Sequence, residues 1–209
     1  VRISKTRPSD TGGGFFNGLG VKAMTHDAGP ILTTQNWLRT VVIGQNFCPF
    51  AKREYDGGRI HYRLIKTPDL EAQLHALLDE CAALDDDAGR ETTLLIFPDA
   101  LSDFHDYLDM LAIATDLLTA QGYAGVYQLA SFHPDYQFAG AGSDEAGFDD
   151  ASHYTNRSPY PMLHILREAS VAAAVERHPD PDGIPARNIE HARRLGVPAL
   201  KALLADCYK

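Results

Sequence analysis

The chain has 209 residues and a mass of 22.9 kDa, enough for one domain with a sizeable core and short for two, since domains usually run to about 100–200 residues. Hydrophobic residues make up 44% and charged residues 22%, which excludes a wholly disordered or fibrous chain. A net charge of −9 and a pI near 5.4 work against general nucleic-acid binding, and no apolar run is long enough for a membrane span or a secretory h-region, so a cytoplasmic protein with neither partner is expected.

The first 23 residues contain TGGGFFNGLG and hold Arg2, Lys5, Arg7 and Lys22 against Asp10 alone. They read as a flexible basic head, either non-native upstream sequence admitted by a misassigned start ahead of Met24 or a short basic extension with a faint resemblance to a transit peptide, which leaves 24–209 as a single globular domain. From Thr34, a candidate N-cap, the apolar positions Trp37, Leu38, Val41 and Val42 keep helical spacing until Gly44. Residues 59–67 (RIHYRLIKT) alternate as a strand does. Pro68 ends them, and Leu70, Leu74, Leu77, Leu78 and Cys81 then mark one face of a helix that runs into a solvated acidic loop at Asp85–Asp87.

The continuous run TTLLIFP (92–98) suits a strand covered on both faces. A long helix follows over 101–120, with Ser102 as a candidate cap and Gly122 as its stop, and then a third strand over 123–132. Strand, helix, strand, helix, strand predicts an α/β fold with a small parallel or mixed sheet, a βαβαβ core covered by helices, and a ferredoxin-like α+β sheet is the alternative. The stretch AGAGSDEAGFDD (139–150) is too polar for the core and reads as a mobile loop. Three helices are expected to close the chain: one opened by Pro161, one around Ile189 and one opened by Pro198 after the Gly196 stop, with HPDPDG (178–183) as the turn between the first two.

The familiar hydrolase, nucleotide and dinucleotide motifs are absent. Three cysteines at wide spacing make neither a disulfide framework nor a zinc ribbon. Chemistry-bearing residues concentrate instead in NFCPFAKR (46–53), SFHPDYQF (131–138) and ASHYTNRSPYPMLH (151–164). His133 and Asp99 follow the C-terminal ends of strands, the edge where open α/β sheets bind ligands, so His133 is a candidate acid, base or metal ligand and Asp99 a candidate binding carboxylate. The bland reading is a turn hydrogen bond and a helix cap.

Arg157, Asn156 and Ser158 precede the expected helix at Pro161, and a guanidinium beside free helix N–H groups suits an anion; alternatively Ser158 caps and Arg157 pairs with a surface acid. His164 and Glu168 would share a helix face at i, i+4, so His133, His153 and His164 form a candidate set for a divalent metal ion, with Cys48 as an optional fourth ligand. Lys52 and Arg53 lie close to Cys48 and would favour its thiolate, giving a candidate nucleophile. Otherwise Phe47, Cys48, Phe50 and Ala51 form a buried plug.

The three long segments WLRTVVIGQNFCPFA, YQLASFHPDYQF and ASHYTNRSPYPMLHILRE, in that order, resemble the DUF1415 family of uncharacterised bacterial proteins over about residues 34–195. The resemblance implies a compact cytosolic body starting at Met24 and carries no reaction or catalytic residue. The residues themselves suggest an enzyme, a His-assisted or metal-assisted hydrolase or transferase, acting on a small anionic metabolite with His133, His153 and Cys48 as catalytic groups. A non-catalytic anion-binding or regulatory module is the alternative, and loop scaffolding a third reading of the same clusters.

Overall fold

The computed structural model describes residues 28–139 and 149–209. The expected head, the start at Met24 and most of the Gly- and acid-rich stretch lie outside the described residues. Four strands, β1 (Ile60–Leu64), β2 (Thr92–Ile96), β3 (Tyr127–Phe132) and β4 (Met162–Arg167), form one sheet in the order β1-β2-β4-β3. β1 and β2 pair in parallel, and β4 runs antiparallel to both β2 and β3. The chain is therefore α/β with a mixed sheet, and β1, β2 and β3 share one direction as the βαβαβ pattern requires. The parallel β1/β2 ladder does not belong to the ferredoxin-like alternative.

The expected helix at Pro161 is the main error of the sequence reading, because residues 162–167 are a strand. The run MLHILR is apolar at both periods. Inserted between β2 and β3 it is covered on both faces, and short buried runs carry no period that separates strand from helix. Pro161 stands just before the strand, and its carbonyl takes the Phe97 N–H at 3.0 Å.

Helices α3 (Leu70–Asp86) and α4 (Phe104–Ala120) cover one face of the sheet, with Leu77, Cys81, Tyr107, Met110 and Ala114 packed on Leu95, Leu163 and Ile165. α3 absorbs part of the expected acidic loop, because Asp85 accepts hydrogen bonds from the Tyr127 and Tyr123 hydroxyls. Asp103, one residue beyond Ser102, caps α4 through the His105 and Asp106 N–H groups.

The other face meets α1 (Ala28–Trp37), α6 (Ile184–Leu195) and α7 (Val197–Asp206), with Trp37, Val41, Ala192 and Leu200 packed on Leu94, Ile96 and Met162. Thr34 is no cap: it lies within α1, donating to the Pro30 carbonyl at 2.8 Å. α1 runs on as π-type turns over Leu38–Ile43, where Gly44 N–H reaches the Arg39 carbonyl. Two short helices complete this face, α2 (Ala51–Asp56) and α5 (Glu168–Arg177).

The Tyr107 hydroxyl joins the two layers. It donates to the Met162 carbonyl at 2.8 Å and accepts from the Phe132 N–H at 3.0 Å, where β4 begins and β3 ends. Tyr107→Phe removes both bonds and leaves two buried backbone groups unpaired, so a loss of about 2 kcal/mol is expected in urea unfolding at unchanged m-value.

Candidate functional site

The three polar clusters do not converge on one pocket. Each ring nitrogen of His133 is occupied: Nε2 lies 2.9 Å from the Leu101 carbonyl, and Nδ1 accepts the Asp135 N–H at 3.0 Å. A carbonyl only accepts, so the proton is on Nε2 and the ring is neutral, in keeping with the lowering of its pKa by burial. Leu101 has φ +59°, a left-handed conformation uncommon for a leucine, and His133 holds its carbonyl. His133 is thus built into the loop joining β2 to α4. Asp99, in the same loop, is exposed and makes no hydrogen bond or ion pair among the described residues.

His153 lies in a single 3-10 turn (Ala151–Thr155), where its Nδ1 accepts the Phe138 N–H at 3.1 Å and burial lowers its pKa. No helix follows for Arg157 to precede. Its Nη2 lies 2.9 Å from Asp149 Oδ1 and its Nη1 donates to Oδ2 at 3.2 Å, its Nε donates to the Tyr136 carbonyl, and it stacks over Tyr154 at 4.4 Å. Asn156 donates to the Ser131 carbonyl, and Ser158 Oγ to the Tyr160 carbonyl at 2.6 Å. Asp150 takes two bonds from Arg193, which hold its carboxyl far below the usual carboxylate range. Asp149 and Asp150, expected in a mobile loop, are therefore anchors. The segment from Asp149 to Ser158 ties α6 and the ends of β3 and β4 together, and most of its polar groups are engaged in doing so, although among the described residues Asp149 Oδ1 has no hydrogen bond beyond its ion pair with Arg157.

The expected metal set fails on the same geometry. His133, His153 and His164 are held by Leu101, Phe138 and Thr92 respectively. Among the described residues no three His, Cys, Asp or Glu side chains gather as a metal site would require. His164 and Glu168 do not share a helix face, since the first is in β4 and the second opens α5.

A different site lies on the sheet face beneath α1, α2 and α5. An inner cavity of about 260 Å³ is walled by Trp37, Leu38, Val42, Leu94, Phe132 and Val171, with His164 and Cys48 among its lining. An outer cleft of about 530 Å³ meets it along Phe50, Glu54, Glu91, Ser170 and Ala174, which line both, and it is bordered by Arg53, Arg59 and Arg177. The space exists because α5 is built of small residues. Ser170, Ala173 and Ala174 reach too little of the gap between helix and sheet to fill it, and no residue of α5 is buried.

His164 stands on β4 opposite Leu94 of β2 and Ala130 of β3. The protein surrounds it, so that burial pushes its pKa down to about 4, yet it keeps surface toward the cavity it lines. Thr92, one row away, sets its tautomer. The Thr92 hydroxyl proton is committed to the Ile165 carbonyl. The contact of 2.6 Å between Thr92 Oγ1 and His164 Nε2 must then use the proton on Nε2. Nδ1 is left with its lone pair and no hydrogen-bond partner among the described residues, and it is absent from the buried unpaired atoms, so it meets the cavity.

Cys48 enters this cavity wall after the Asn46 turn (φ +55°). Burial raises its thiol pKa, outweighing the Phe50 and Ala51 backbone groups that act to lower it, and Lys52 and Arg53 are turned to Asp56 and Glu54. The expected activated thiolate is not what the environment favours. The structure thus places Cys48 beside the cavity that holds His164, and His133, His153, Asn156, Arg157, Ser158 and Asp99 outside its walls. Thr92, Glu91, Arg59 and Arg177 escaped the sequence reading. Met162, His164 and Leu166 share this face only because the segment is a strand, which the run MLHILR does not announce.

These features define a mixed-sheet α/β protein with an amphipathic cleft over a buried neutral histidine. A family model described as "Protein of unknown function (DUF1415)" matches residues 30–202, and the chain belongs to that family. No curated protein and no solved structure matches it. No helix among the described residues is long and apolar enough to cross a membrane.

The depressed pKa of His164 has a consequence for stability. Its folded value near 4 lies below the ordinary 6.5, so as pH falls through that interval the unfolded chain takes up a proton that the folded one refuses, and up to about 3 kcal/mol of stability present above it is lost. His164→Gln is expected to flatten the decline between about pH 6.5 and 4 relative to wild type, read from urea midpoints across that range.

Proposed function

We propose that the protein binds, and acts as an enzyme on, a small molecule with an apolar body and an anionic group. The observation that carries this reading is the graded lining of the cleft. Aromatic and aliphatic side chains enclose its inner part, and three arginines border its outer part. Arg59 and Arg53 are partly neutralised by Glu54, whereas Arg177 is exposed and has no ion pair among the described residues. It is the cation available to a carboxylate or phosphate, with the Glu91 carboxylate bordering the same cleft and restricting where that anion sits.

His164 supplies a hydrogen-bond acceptor at the inner end. It is neutral near pH 7 and one of its nitrogens is unprotonated. A neutral acceptor of this kind orients a substrate hydroxyl in hydrolase and transferase chemistry alike, and the nature of the substrate decides between them. The second reading, a binding module without turnover, is favoured by Cys48, whose raised thiol pKa removes the obvious nucleophile from the cavity.

Calorimetric titration with phenylalkanoates and alkanoates of graded chain length tests the reading, with the corresponding amides as uncharged controls. The acids are expected to bind and the amides to bind about tenfold more weakly. Arg177→Glu should remove that preference, and Ala174→Phe, which fills the cleft, should abolish binding with a change in stability of about 1 kcal/mol or less. Equal affinity for acids and amides, or binding that survives Ala174→Phe, would place the ligand elsewhere.

A further inference from the structure

We propose that the ligand of this cleft carries a neutral hydroxyl at its inner end, accepted by His164 Nδ1, and is therefore a hydroxylated apolar acid of the phenolic carboxylate type. The inference rests on the cleft reading above and adds the chemistry of the buried end. Thr92 commits its own proton to the Ile165 carbonyl and so holds the His164 proton on Nε2. Nδ1 is an acceptor that the described residues leave unpaired. Apolar groups surround the ring: Leu94 and Ala130 in the flanking strands, Phe132 with its ring centroid 6.3 Å from that of the imidazole, and Trp37 and Leu38 in the cavity wall.

An acceptor in such surroundings selects its partner. A carboxylate would bring lone pair against lone pair after losing its water, and a purely apolar end would leave Nδ1 dry and unpaired. A hydroxyl donates one proton and keeps its remaining demand small. Discrimination of this kind is strong where a buried group is left unsatisfied by the analogue lacking the hydroxyl. A ring fits the space: a cavity of about 150 Å³ accepts benzene, and the inner cavity here measures about 260 Å³. With the hydroxyl on Nδ1, the acid end points along Ser170 and Ala174 toward the arginine border.

The phenylalkanoate series, each member with and without a para hydroxyl, tests this on the full chain. The hydroxyl is expected to tighten binding about tenfold in the wild type, the worth of one buried hydrogen bond. His164→Phe should lose that gain while still binding the unhydroxylated acids. Thr92→Val should reduce it, because the tautomer is no longer held. Nitrogen-15 NMR of the wild-type imidazole reads the tautomer directly, and Nε2–H with bare Nδ1 is expected even where a variant fails to fold.

Unhydroxylated acids that bind with no gain from the hydroxyl, a gain that persists in His164→Phe, or a protonated Nδ1 in the free wild type would each overturn the proposal and leave the cleft reading standing. Failure of every acid, hydroxylated or not, would overturn both.

Discussion

The fold depends on β4 lying antiparallel between two strands that would otherwise be neighbours. β2 and β3 point the same way, but each pairs with β4 rather than with the other. Residues 162–166 of β4 consequently have a strand on both sides. Met162, Leu163 and Ile165 are fully buried in that setting. His164 is the polar interruption in the strand, and the sheet can hold it only as a neutral ring with a partner, which Thr92 on the adjacent strand provides. A single strand therefore determines both the sheet order and the position of the histidine that faces the inner cavity.

The transition out of β4 explains why that cavity stays open. α5 starts at Glu168, immediately after the strand, so the helix is laid over the sheet without a loop to adjust its height. Arg167, pointing to the opposite face from His164, fixes the corner. Its guanidinium reaches the carbonyls of Leu84 and Arg90 and approaches the Tyr127 hydroxyl, tying the strand end to the end of α3 and to the entrance of β2. With the corner held, the alanines and serine of α5 cannot sink far enough to close the gap. Small side chains on a fixed helix leave a space that larger ones would fill.

The elements most legible in the sequence were those whose periodicity agreed with their place in the fold. β2, α4 and the C-terminal helices read clearly because TTLLI is uniformly apolar in a central strand, and Gly196 with Pro198 marks the break between α6 and α7. β4 misled because a central strand buried on both faces loses the alternation that identifies a strand, and Pro161 suits a helix start as well as the residue before a strand. The site was legible only in part. His164 and Cys48 stood out as chemical groups, but their neighbours Thr92 and Arg177 come from segments that read as core strand and helix surface. Only strand pairing brings Thr92 to His164, and pairing is a long-range property with no local signature.

Density of polar residues proved a poor guide to where a ligand would sit. The segment around Arg157 is dense in hydrogen-bonding groups, but Asp149, Tyr136 and Trp37 use them to fasten loops and helices to the sheet. A guanidinium that is paired with Asp149, donates to a carbonyl and stacks on Tyr154 is already engaged on the protein's own groups. What distinguishes the cleft is incompleteness: an imidazole satisfied on one nitrogen, an arginine without an ion pair, and apolar walls that do not meet. The net charge of −9 belongs to the molecule as a whole, and within the outer cleft Arg53, Arg59 and Arg177 outnumber Glu54 and Glu91. An overall negative field slows the approach of an anion, whereas the local excess of arginine holds one that has arrived, since fixed charges a few ångströms away outweigh those screened beyond about 10 Å.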